Sequence, residues 1–287
     1  MTPDRLRLAV PNKGRLLEPT LRLLRDAGLE FEDQSRALVS HAENVPLDIL
    51  HVRTEDIVEL VGDGVADLGI TGTNLLAEAD VQLPVRLELG YGRCRLEAAV
   101  PVDDEAVSFE QLAGRRLATS HPATTRRFFG ERGIDVAIVP LSGSVEVAPR
   151  LGLAEGIVDL VSTGSTLIMN GLRSVGCLLE SQAVLVGRPS AVARRDATVD
   201  EVVTVLGAVV AGRRRKYLMM NAPRRALSAI EAILPGLASP SVIPLAHDDM
   251  VAVHAVVEDA DVWRMLPPLR AAGASGILVV PIEKLVP

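Results

Sequence analysis

The chain carries one short pattern twice, an apolar strand that runs into a tight turn. Residues 66–73 (ADLGITGT) and residues 158–165 (VDLVSTGS) both consist of an apolar residue, Asp-Leu, two further residues, then Thr-Gly and a hydroxyl residue. Each copy follows a segment with helical spacing that ends in glycine. This repetition predicts two α/β lobes of similar build, whose turns face each other across a cleft.

The second copy lies inside the most informative stretch of the chain, residues 146–167 (EVAPRLGLAEGIVDLVSTGSTL). Residues 147–155 have the spacing of an amphipathic helix, residues 157–161 form a short apolar run, and Leu167 opens the next predicted helix. The turn between strand and helix predicts a nest of backbone N–H groups and hydroxyls that binds phosphate. The nest residues are Ser162, Thr163, Gly164, Ser165 and Thr166.

Two carboxylates, Glu146 and Asp159, flank this nest and would repel a phosphate bound alone. A sugar phosphate suits the combination, because carboxylates accept hydrogen bonds from vicinal hydroxyls while the nest holds the phosphate. The same residues also fit an N-capped helix after a buried strand, with Asp159 as an ordinary polar strand residue. This segment by itself leaves both interpretations open.

The start of the chain places two cations after its first predicted strand. Residues 6–10 alternate like a strand and run into the loop Pro11-Asn12-Lys13-Gly14-Arg15. Lys13 and Arg15 could be solvated loop charges. The carboxyl end of a strand in an open α/β sheet is, however, where ligands bind.

The remaining pattern predicts how the two lobes are connected. Residues 84–101 are extended and would carry the chain into the second lobe, with Arg93 and Arg95 at the crossing. A second extended pair, residues 177–186, would return it, and two crossings predict a hinged cleft. Further predicted elements are helices at 16–27, 54–62 (N-cap Thr54), 122–129 and 198–211 (N-cap Thr198), and strands at 48–52, 66–71, 116–119 and 136–140.

The end of the chain predicts a separate ferredoxin-like unit with the order βαββαβ. We expect residues 1–95 with 183–212 to form the first lobe, residues 96–182 the second, and residues 213–287 this last domain. At roughly 70 residues the last domain is small for an independent core, which predicts packing against copies of itself.

Composition argues against several classes of protein. With 287 residues, 48% of them hydrophobic, the chain can bury a sizeable core, yet no apolar run approaches the roughly 20 residues of a membrane span. A net charge of −7 and an aromatic content of four Phe, two Tyr and one Trp argue against nucleic acid as a partner. The charged first strand is unlike a signal peptide, so we expect a cytoplasmic location.

Local motifs argue against several kinds of metal-binding and nucleotide-binding protein. Cys94 and Cys177 match no metal or redox spacing, so no dedicated metal site on the protein is predicted. The basic run at residues 213–216 is typical of a solvated face. The sequence contains neither a Walker A motif nor a GxGxxG fingerprint.

Taken together, these motifs resemble the ATP phosphoribosyltransferases of histidine biosynthesis, in the long form that carries a C-terminal regulatory domain. The resemblance covers the whole chain, and its most specific part is the pattern Glu, five residues, Gly, then Asp-Leu-x-x-Ser/Thr-Gly-x-Thr-Leu within residues 146–167. Its other carriers are Pro11-Asn12-Lys13-Gly14-Arg15, Asp67-Leu68-Gly69-Ile70-Thr71-Gly72, and Thr119-Ser120 with Thr125-Arg126-Arg127-Phe128.

The resemblance implies an α/β fold, with a two-lobed, periplasmic-binding-protein-like catalytic core. It implies transfer of the 5-phosphoribosyl group of phosphoribosyl pyrophosphate to N1 of ATP, with Mg²⁺ bound through the substrate pyrophosphate. The nest would hold the 5-phosphate, and Glu146 and Asp159 the ribose hydroxyls. Adenine N1 is already nucleophilic, so we assign no catalytic base. Predicted ATP-binding residues are Lys13, Arg15, Thr71, Gly72, Thr73, Arg93 and Arg95.

For the C-terminal domain, the resemblance implies feedback inhibition by histidine and a homo-oligomer, a dimer that exchanges with a hexamer. The predicted histidine-binding residues are Asn221, Ser241 and Ala274. The alternative function is a non-catalytic, two-lobed protein that binds or senses a small molecule, since two lobes with two crossings also describe such proteins. The lack of a signal peptide and of a helix-turn-helix pattern argues against that alternative.

Overall fold

The computed structural model describes residues 5–32, 38–79, 81–188, 193–234 and 239–286, without the side chains of residues 193–196. The chain forms two compact units. The first comprises Met1–Arg22 with Leu29–Val199, and the second comprises Leu23–Gly28 with Asp200–Pro287.

The first unit contains two mixed sheets. Its strands are β1 (Leu6–Pro11), β2 (Val39–His41), β3 (Leu47–Val52), β4 (Leu68–Gly72), β5 (Val85–Glu88), β6 (Cys94–Pro101), β7 (Arg116–Thr119), β8 (Ala137–Pro140), β9 (Gly156–Val161), β10 (Leu172–Ser181) and β11 (Ala183–Gly187). Its helices are α1 (Leu17–Asp26), which runs into the second unit, α2 (Ile57–Gly62), α3 (Thr73–Glu78), α4 (Pro122–Glu131) and α5 (Ser165–Met169).

The first sheet has the strand order β2-β3-β1-β4-β11-β5. Strands β3, β1 and β4 run parallel, and β11 lies antiparallel to β4 and β5. Leu8, Ile49 and Ile70 on the parallel strands are fully buried. Nearly every residue of these three strands is buried, as is typical of a parallel sheet that is covered on both faces.

The second sheet has the order β10-β6-β9-β7-β8, with β7 parallel to both β8 and β9. One core cluster contains Leu96 and Phe129, and the latter belongs to α4. Another contains Val145, Val161 and Leu167, which come from a 3-10 helix, from β9 and from α5. The segments around Glu146 and the predicted nest are therefore anchored in one apolar cluster.

The chain passes between these two sheets twice. It leaves the first sheet after β5 and enters the second at β6, and it returns from β10 to β11 through Gln182. Two α/β sheets joined by two crossings form a periplasmic-binding-protein-like core. The two-lobed α/β core agrees with the predicted fold class. None of the helices in the described residues is long and apolar enough to cross a membrane.

The second unit contains a four-stranded antiparallel sheet in the order β13-β14-β12-β15. The buried residues Leu218, Ile230, Val253 and Leu269 join its strands and helices in one core. Its elements are α6 (Ala193–Arg213), which begins in the first unit, β12 (Arg215–Pro223), α7 (Leu227–Ile233), β13 (Ser241–Pro244), β14 (Met250–Glu258), α8 (Asp259–Ala271) and β15 (Ser275–Pro281). This is the predicted ferredoxin-like topology.

The predicted helix over residues 147–155 is wrong. This stretch has a 3-10 helix at Val145–Val147 followed by turns, and Leu151 is 68% exposed. Gly152 has a φ of +69°, outside the right-handed helical region, so a helix cannot continue through it.

Two predicted N-caps are also wrong. Helix α6 begins at Ala193, so Thr198 lies inside it. The helix-favouring sequence before Thr198 outweighs the hydroxyl and acidic residues that are typical of a helix start. Thr54 is the first residue of a 3-10 helix, Thr54–Asp56, that precedes α2, and no side chain caps it.

Candidate active site

A cavity of about 710 Å³ opens where strands of both sheets of the first unit end. The first sheet contributes the loops after β1 and β3 and the end of β4, and the second contributes the loops after β7 and β8. These are the carboxyl ends of parallel strands, where ligands bind in open α/β sheets. The lining residues are Lys13, Gly14, Arg15, Leu16, Arg53, Thr54, Glu55, Asp56, Gly72, Asn74, Leu75, Ser120, His121, Ser142 and Leu160.

The lining of this cavity carries three cations and two carboxylates. Lys13 and Arg15 follow β1 as predicted, and Arg53, which the sequence analysis did not single out, follows β3. Glu55 and Asp56 are the carboxylates of the lining. In a chain of net charge −7, this excess of cations concentrates the attraction for an anionic ligand in one place.

The predicted phosphate nest lies between β9 and α5. Gly164 has a φ of +82°, which suits glycine, and α5 begins at Ser165 rather than at the predicted Leu167. The hydroxyls of Thr163 and Ser165 lie 2.9 Å apart. Ser162, Thr163, Ser165 and Thr166 are exposed, so their hydroxyls and the turn are accessible to a ligand.

The two predicted carboxylates are half-buried and act on each other. Glu146 lies in the 3-10 helix that follows Ser144, a non-glycine residue with a φ of +52°. Burial, and to a lesser extent the negative charge of Glu146, raises the pKa of Asp159, although Leu160 N–H donates to its Oδ1 at 2.8 Å. The fold therefore holds a carboxyl group where ionisation is unfavourable, which is typical of functional sites.

Arg15 connects the two predicted substrate regions. Its Nη1 donates to Ser162 Oγ at 3.1 Å, and its Nη2 donates to Cys94 Sγ at 2.7 Å. Arg15 follows β1 of the first sheet, whereas Ser162 begins the nest after β9 of the second. The guanidinium is therefore positioned beside the nest as well as along the cavity.

Of the other predicted ATP-binding residues, Gly72 lines the cavity and the rest do not. Thr71 is fully buried, and Thr73 is half-buried. Thr73 Oγ1 instead donates to Ser181 Oγ at 3.1 Å. Arg93 is exposed, and Arg95 pairs with the buried Glu97 at 2.7 Å. Neither arginine lines the cavity.

A buried imidazole in this cavity was missed by sequence reasoning. His121 Nε2 lies 2.9 Å from Asn74 Nδ2, so the ring accepts there, and Nδ1 carries the proton that faces Ser120 Oγ at 3.0 Å. Burial lowers the pKa of His121, and Arg15 lowers it further while Glu78 raises it. His121 could have been predicted from its position just after β7, because the other lining residues also follow the ends of strands.

In the second unit, the structure brings two of the three predicted histidine-binding residues together. Asn221 on β12 pairs with Ser275 of β15, so it lies close to Ala274. Ser241 on β13 pairs with His254 of β14, and β14 separates it from Asn221. Within a single chain, Ser241 is thus two strands away from the other pair.

The raised pKa of Asp159 leads to a prediction about stability. A carboxyl group whose pKa is higher in the folded state stabilises the protein below its ordinary pKa of 3.8, and this contribution is lost as the pH rises through the folded-state pKa. We therefore expect Asp159→Asn, without ligands, to have a higher free energy of unfolding than the wild type at pH 7. The difference should shrink as the pH falls toward 3.8.

Urea unfolding across this pH range measures the effect. The exposed Asp103 provides the matched control, because Asp103→Asn should change stability by no more than about 0.5 kcal/mol at any pH. An Asp159→Asn protein that is less stable than the wild type at pH 7 would show that the ionised carboxylate is structurally favourable.

Known proteins resemble this chain along almost its full length. The sequence profile of the ATP phosphoribosyltransferase family (HisG) matches residues 53–208, and that of the HisG C-terminal domain matches residues 212–284. ATP phosphoribosyltransferase of Cytophaga hutchinsonii is 42% identical over 281 residues, covering 98% of each chain. ATP phosphoribosyltransferase of Gemmatimonas aurantiaca is 45% identical over 291 residues, covering 98% of this chain and all of its own.

A solved structure supports the same relationship. The chain from the ATP phosphoribosyl transferase (HisG:HisZ) complex of Thermotoga maritima superposes with a TM-score of 0.63 and 30% sequence identity. The superposition covers 72% of this chain and 98% of that one. From its sequence profile, its near full-length relatives and its fold, this chain belongs to the ATP phosphoribosyltransferase family.

Proposed function

We propose that the nest after β9 binds phosphoribosyl pyrophosphate and that the neighbouring cavity binds ATP. The enzyme transfers the 5-phosphoribosyl group to N1 of ATP and releases pyrophosphate, the first step of histidine biosynthesis. Our proposal concerns which residues perform this reaction and how they are controlled.

One observation carries the assignment of phosphoribosyl pyrophosphate. The nest and the carboxylates Glu146 and Asp159 are held by segments that share a single core cluster. The backbone N–H groups and the hydroxyls of Ser162 to Thr166 suit the 5-phosphate, and the two carboxylates suit the ribose hydroxyls. Hydrogen bonds from those hydroxyls would compensate the unfavourable ionisation of Asp159.

ATP fits the cavity beside the nest. Its volume of about 710 Å³ lies in the range of small-molecule sites, and Lys13, Arg15 and Arg53 offer positive charge to a polyphosphate. Arg15 also touches Ser162, so its guanidinium can neutralise negative charge at the point where the two substrates meet. Thr71, Thr73, Arg93 and Arg95 would act as supporting residues around this region.

The chemistry follows from positioning and charge. As pyrophosphate leaves C1 of the ribose, positive charge develops on the sugar and negative charge on the leaving group. Glu146 and Asp159 hold the hydroxyl side of the sugar and stabilise the positive charge, while Arg15 stabilises the negative charge. Adenine N1 attacks directly when it is aligned with C1, so orientation by the cavity replaces a general base.

The donor groups present suit Mg²⁺ that arrives with the substrate. Among the described residues, no group of three or more His, Cys, Asp or Glu side chains could hold a metal ion. Mg²⁺ commonly binds through substrate phosphates while it keeps several waters, so the substrate pyrophosphate would hold it. When bound, Mg²⁺ would neutralise part of the pyrophosphate charge.

The second unit would regulate and assemble the enzyme. Histidine would bind at Asn221 and Ala274. Because β14 separates Ser241 from these two residues within one chain, Ser241 would come from a second copy across an interface.

Edge strand β15 exposes Leu278 and Val280, which favours a homo-oligomer. The Thermotoga maritima relative is itself part of a complex. Free cysteines at positions 94 and 177 fit a cytoplasmic enzyme.

The proposed division between the two substrates predicts different effects of three substitutions. Thr163→Val removes a hydroxyl from the nest and should weaken phosphoribosyl pyrophosphate about tenfold, with a smaller effect on ATP. Lys13→Ala should chiefly raise the KM for ATP. Arg15→Ala should impair both substrates, because Arg15 lies beside both regions.

Steady-state kinetics with each substrate varied in turn measure this division. Thr204→Val, an exposed threonine on α6, is the matched control and should leave both KM values unchanged. Equal effects of Thr163→Val and Lys13→Ala on both substrates would refute the division.

Regulation from the second unit predicts that histidine inhibits without entering the nest. Allosteric coupling of about 1 to 3 kcal/mol should alter substrate affinity about 5- to 150-fold, and substrates should shift histidine affinity by the same factor. Asn221→Ala should weaken histidine binding in calorimetry, whereas Thr163→Val should leave it unchanged. Histidine that competes for the nest, and binds more weakly to Thr163→Val, would contradict this assignment.

A further inference from the structure

Helix α3 of the first lobe contacts the start of helix α4 of the second lobe through a carboxylate. Glu78, the last residue of α3, accepts hydrogen bonds from the backbone N–H groups of Ala123 and Thr124, at 2.7 Å and 2.8 Å. These two donors belong to the first turn of α4 and have no partner within the helix. A negative charge at this end of a helix is also favoured by the helix dipole.

Two further hydrogen bonds join the same pair of helices. Asn74 Nδ2 lies 2.9 Å from His121 Nε2, and Arg127 Nη2 donates to the carbonyl oxygen of Ala77 at 2.8 Å. Both Asn74 and His121 are buried, so water cannot readily replace their contact. We call this set of contacts, made by Asn74, Ala77 and Glu78 to residues 121–127, the α3–α4 clamp.

The clamp is also attached to the second crossing between the sheets. Ser181 Oγ accepts from Asn74 N–H at 3.1 Å and donates to Asn74 Oδ1 at 2.8 Å. The next residue, Gln182, is the link from β10 to β11, and its N–H donates to Thr73 Oγ1 at 3.0 Å. The first turn of α3 is therefore attached to this crossing as well.

The position of the clamp connects it to the reaction. Helix α3 begins directly after Gly72, and α4 begins directly after Ser120 and His121, and all three residues line the cavity. The cations Lys13 and Arg15 come from the first lobe, whereas the nest belongs to the second. The separation between the two lobes thus determines how closely ATP approaches C1 of the bound sugar.

We propose that Glu78 is a positioning residue for phosphoribosyl transfer, because its carboxylate fixes α4 and the second lobe against α3 and so aligns the two substrates. Glu78 touches neither substrate. Its effect should therefore appear in kcat rather than in the binding of phosphoribosyl pyrophosphate alone, which the second lobe performs with its own residues. The inference rests on the proposed substrate sites.

The test compares Glu78→Gln with the wild-type enzyme in pyrophosphate release, with both substrates and Mg²⁺ saturating. Glutamine keeps one acceptor oxygen but presents an NH₂ group to the second backbone donor. A misplacement near 1 Å can lower a rate about 100-fold, so we expect kcat to fall about 10- to 100-fold. The dissociation constant of phosphoribosyl pyrophosphate, measured without ATP, should stay within about twofold of the wild-type value.

The matched control is Glu131→Gln, an exposed carboxylate in the last turn of the same helix, which should keep wild-type kcat. Arg127→Ala removes a peripheral contact of the clamp and should lower kcat several-fold, which keeps the proposal testable if Glu78→Gln does not fold. Circular dichroism and thermal unfolding establish the folded fraction of each variant.

The possible outcomes separate this inference from the substrate assignment. A folded Glu78→Gln enzyme with wild-type kcat, or with lower thermal stability and unchanged kcat per folded molecule, would overturn the positioning role. A parallel loss of phosphoribosyl pyrophosphate binding would also overturn it. If wild-type enzyme bound phosphoribosyl pyrophosphate and Thr163→Val bound it equally well, the substrate assignment would fail instead.

Discussion

The catalytic core depends on the convergence of parallel strand ends from two sheets on one cavity. Strands β1, β3 and β4 in one lobe and β7, β8 and β9 in the other all direct their carboxyl ends to this region. Each strand end presents loop residues or helix starts, which carry N–H groups and cations. In a protein of net charge −7, this geometry places Lys13, Arg15 and Arg53 around one cavity, where we propose that a polyphosphate binds.

The burial of Asp159 conflicts with the negative charge that its proposed role requires. Asp159 is half-buried and close to Glu146, so its ionised form is unfavourable before the substrate arrives. A neutral residue would suit the empty protein better, whereas a sugar with two hydroxyls requires an acceptor. If Asp159 binds the ribose hydroxyls as we propose, function and stability favour different side chains at this position.

Much of this arrangement could be predicted from the sequence, because short local patterns of residues encode it. The Asp-Leu-x-x-Ser/Thr-Gly pattern encodes a strand and a helix start within a few residues, and both copies contain these two elements. The tight turn forms in the second copy, where Gly164 has a φ of +82°. In the first copy the predicted turn is wrong, because Gly72 is the extended last residue of β4 and α3 begins at Thr73. The predicted helix over residues 147–155 is wrong, because Gly152 adopts a φ of +69° that ends a right-handed helix whatever the apolar spacing. The predicted N-cap at Thr198 is wrong because the helix-favouring residues before it are also helical, so α6 begins at Ala193.

Contacts between distant residues could not be predicted in this way. Arg15 reaches Ser162, and Glu78 caps α4, through the relative placement of two sheets rather than through any local pattern. His121 gave no periodic signal, and its importance appears only when the end of β7 lies beside Asn74. These residues make contacts between the two lobes, and Arg15 links the predicted phosphate nest to the neighbouring cavity.

We propose that Asp159 and the nest bind the ribose phosphate that is transferred to ATP. Pyrophosphate release by wild-type and Asp159→Asn proteins, in the presence of ATP, phosphoribosyl pyrophosphate and Mg²⁺, tests this assignment. We expect the wild type to release pyrophosphate only when both substrates are present. We also expect a loss of about 2 to 3 kcal/mol of transition-state stabilisation, or about 30- to 150-fold in kcat/KM, in the folded variant. Unchanged kinetics in Asp159→Asn would contradict the site, and no release by the wild type would favour a binding protein without catalysis.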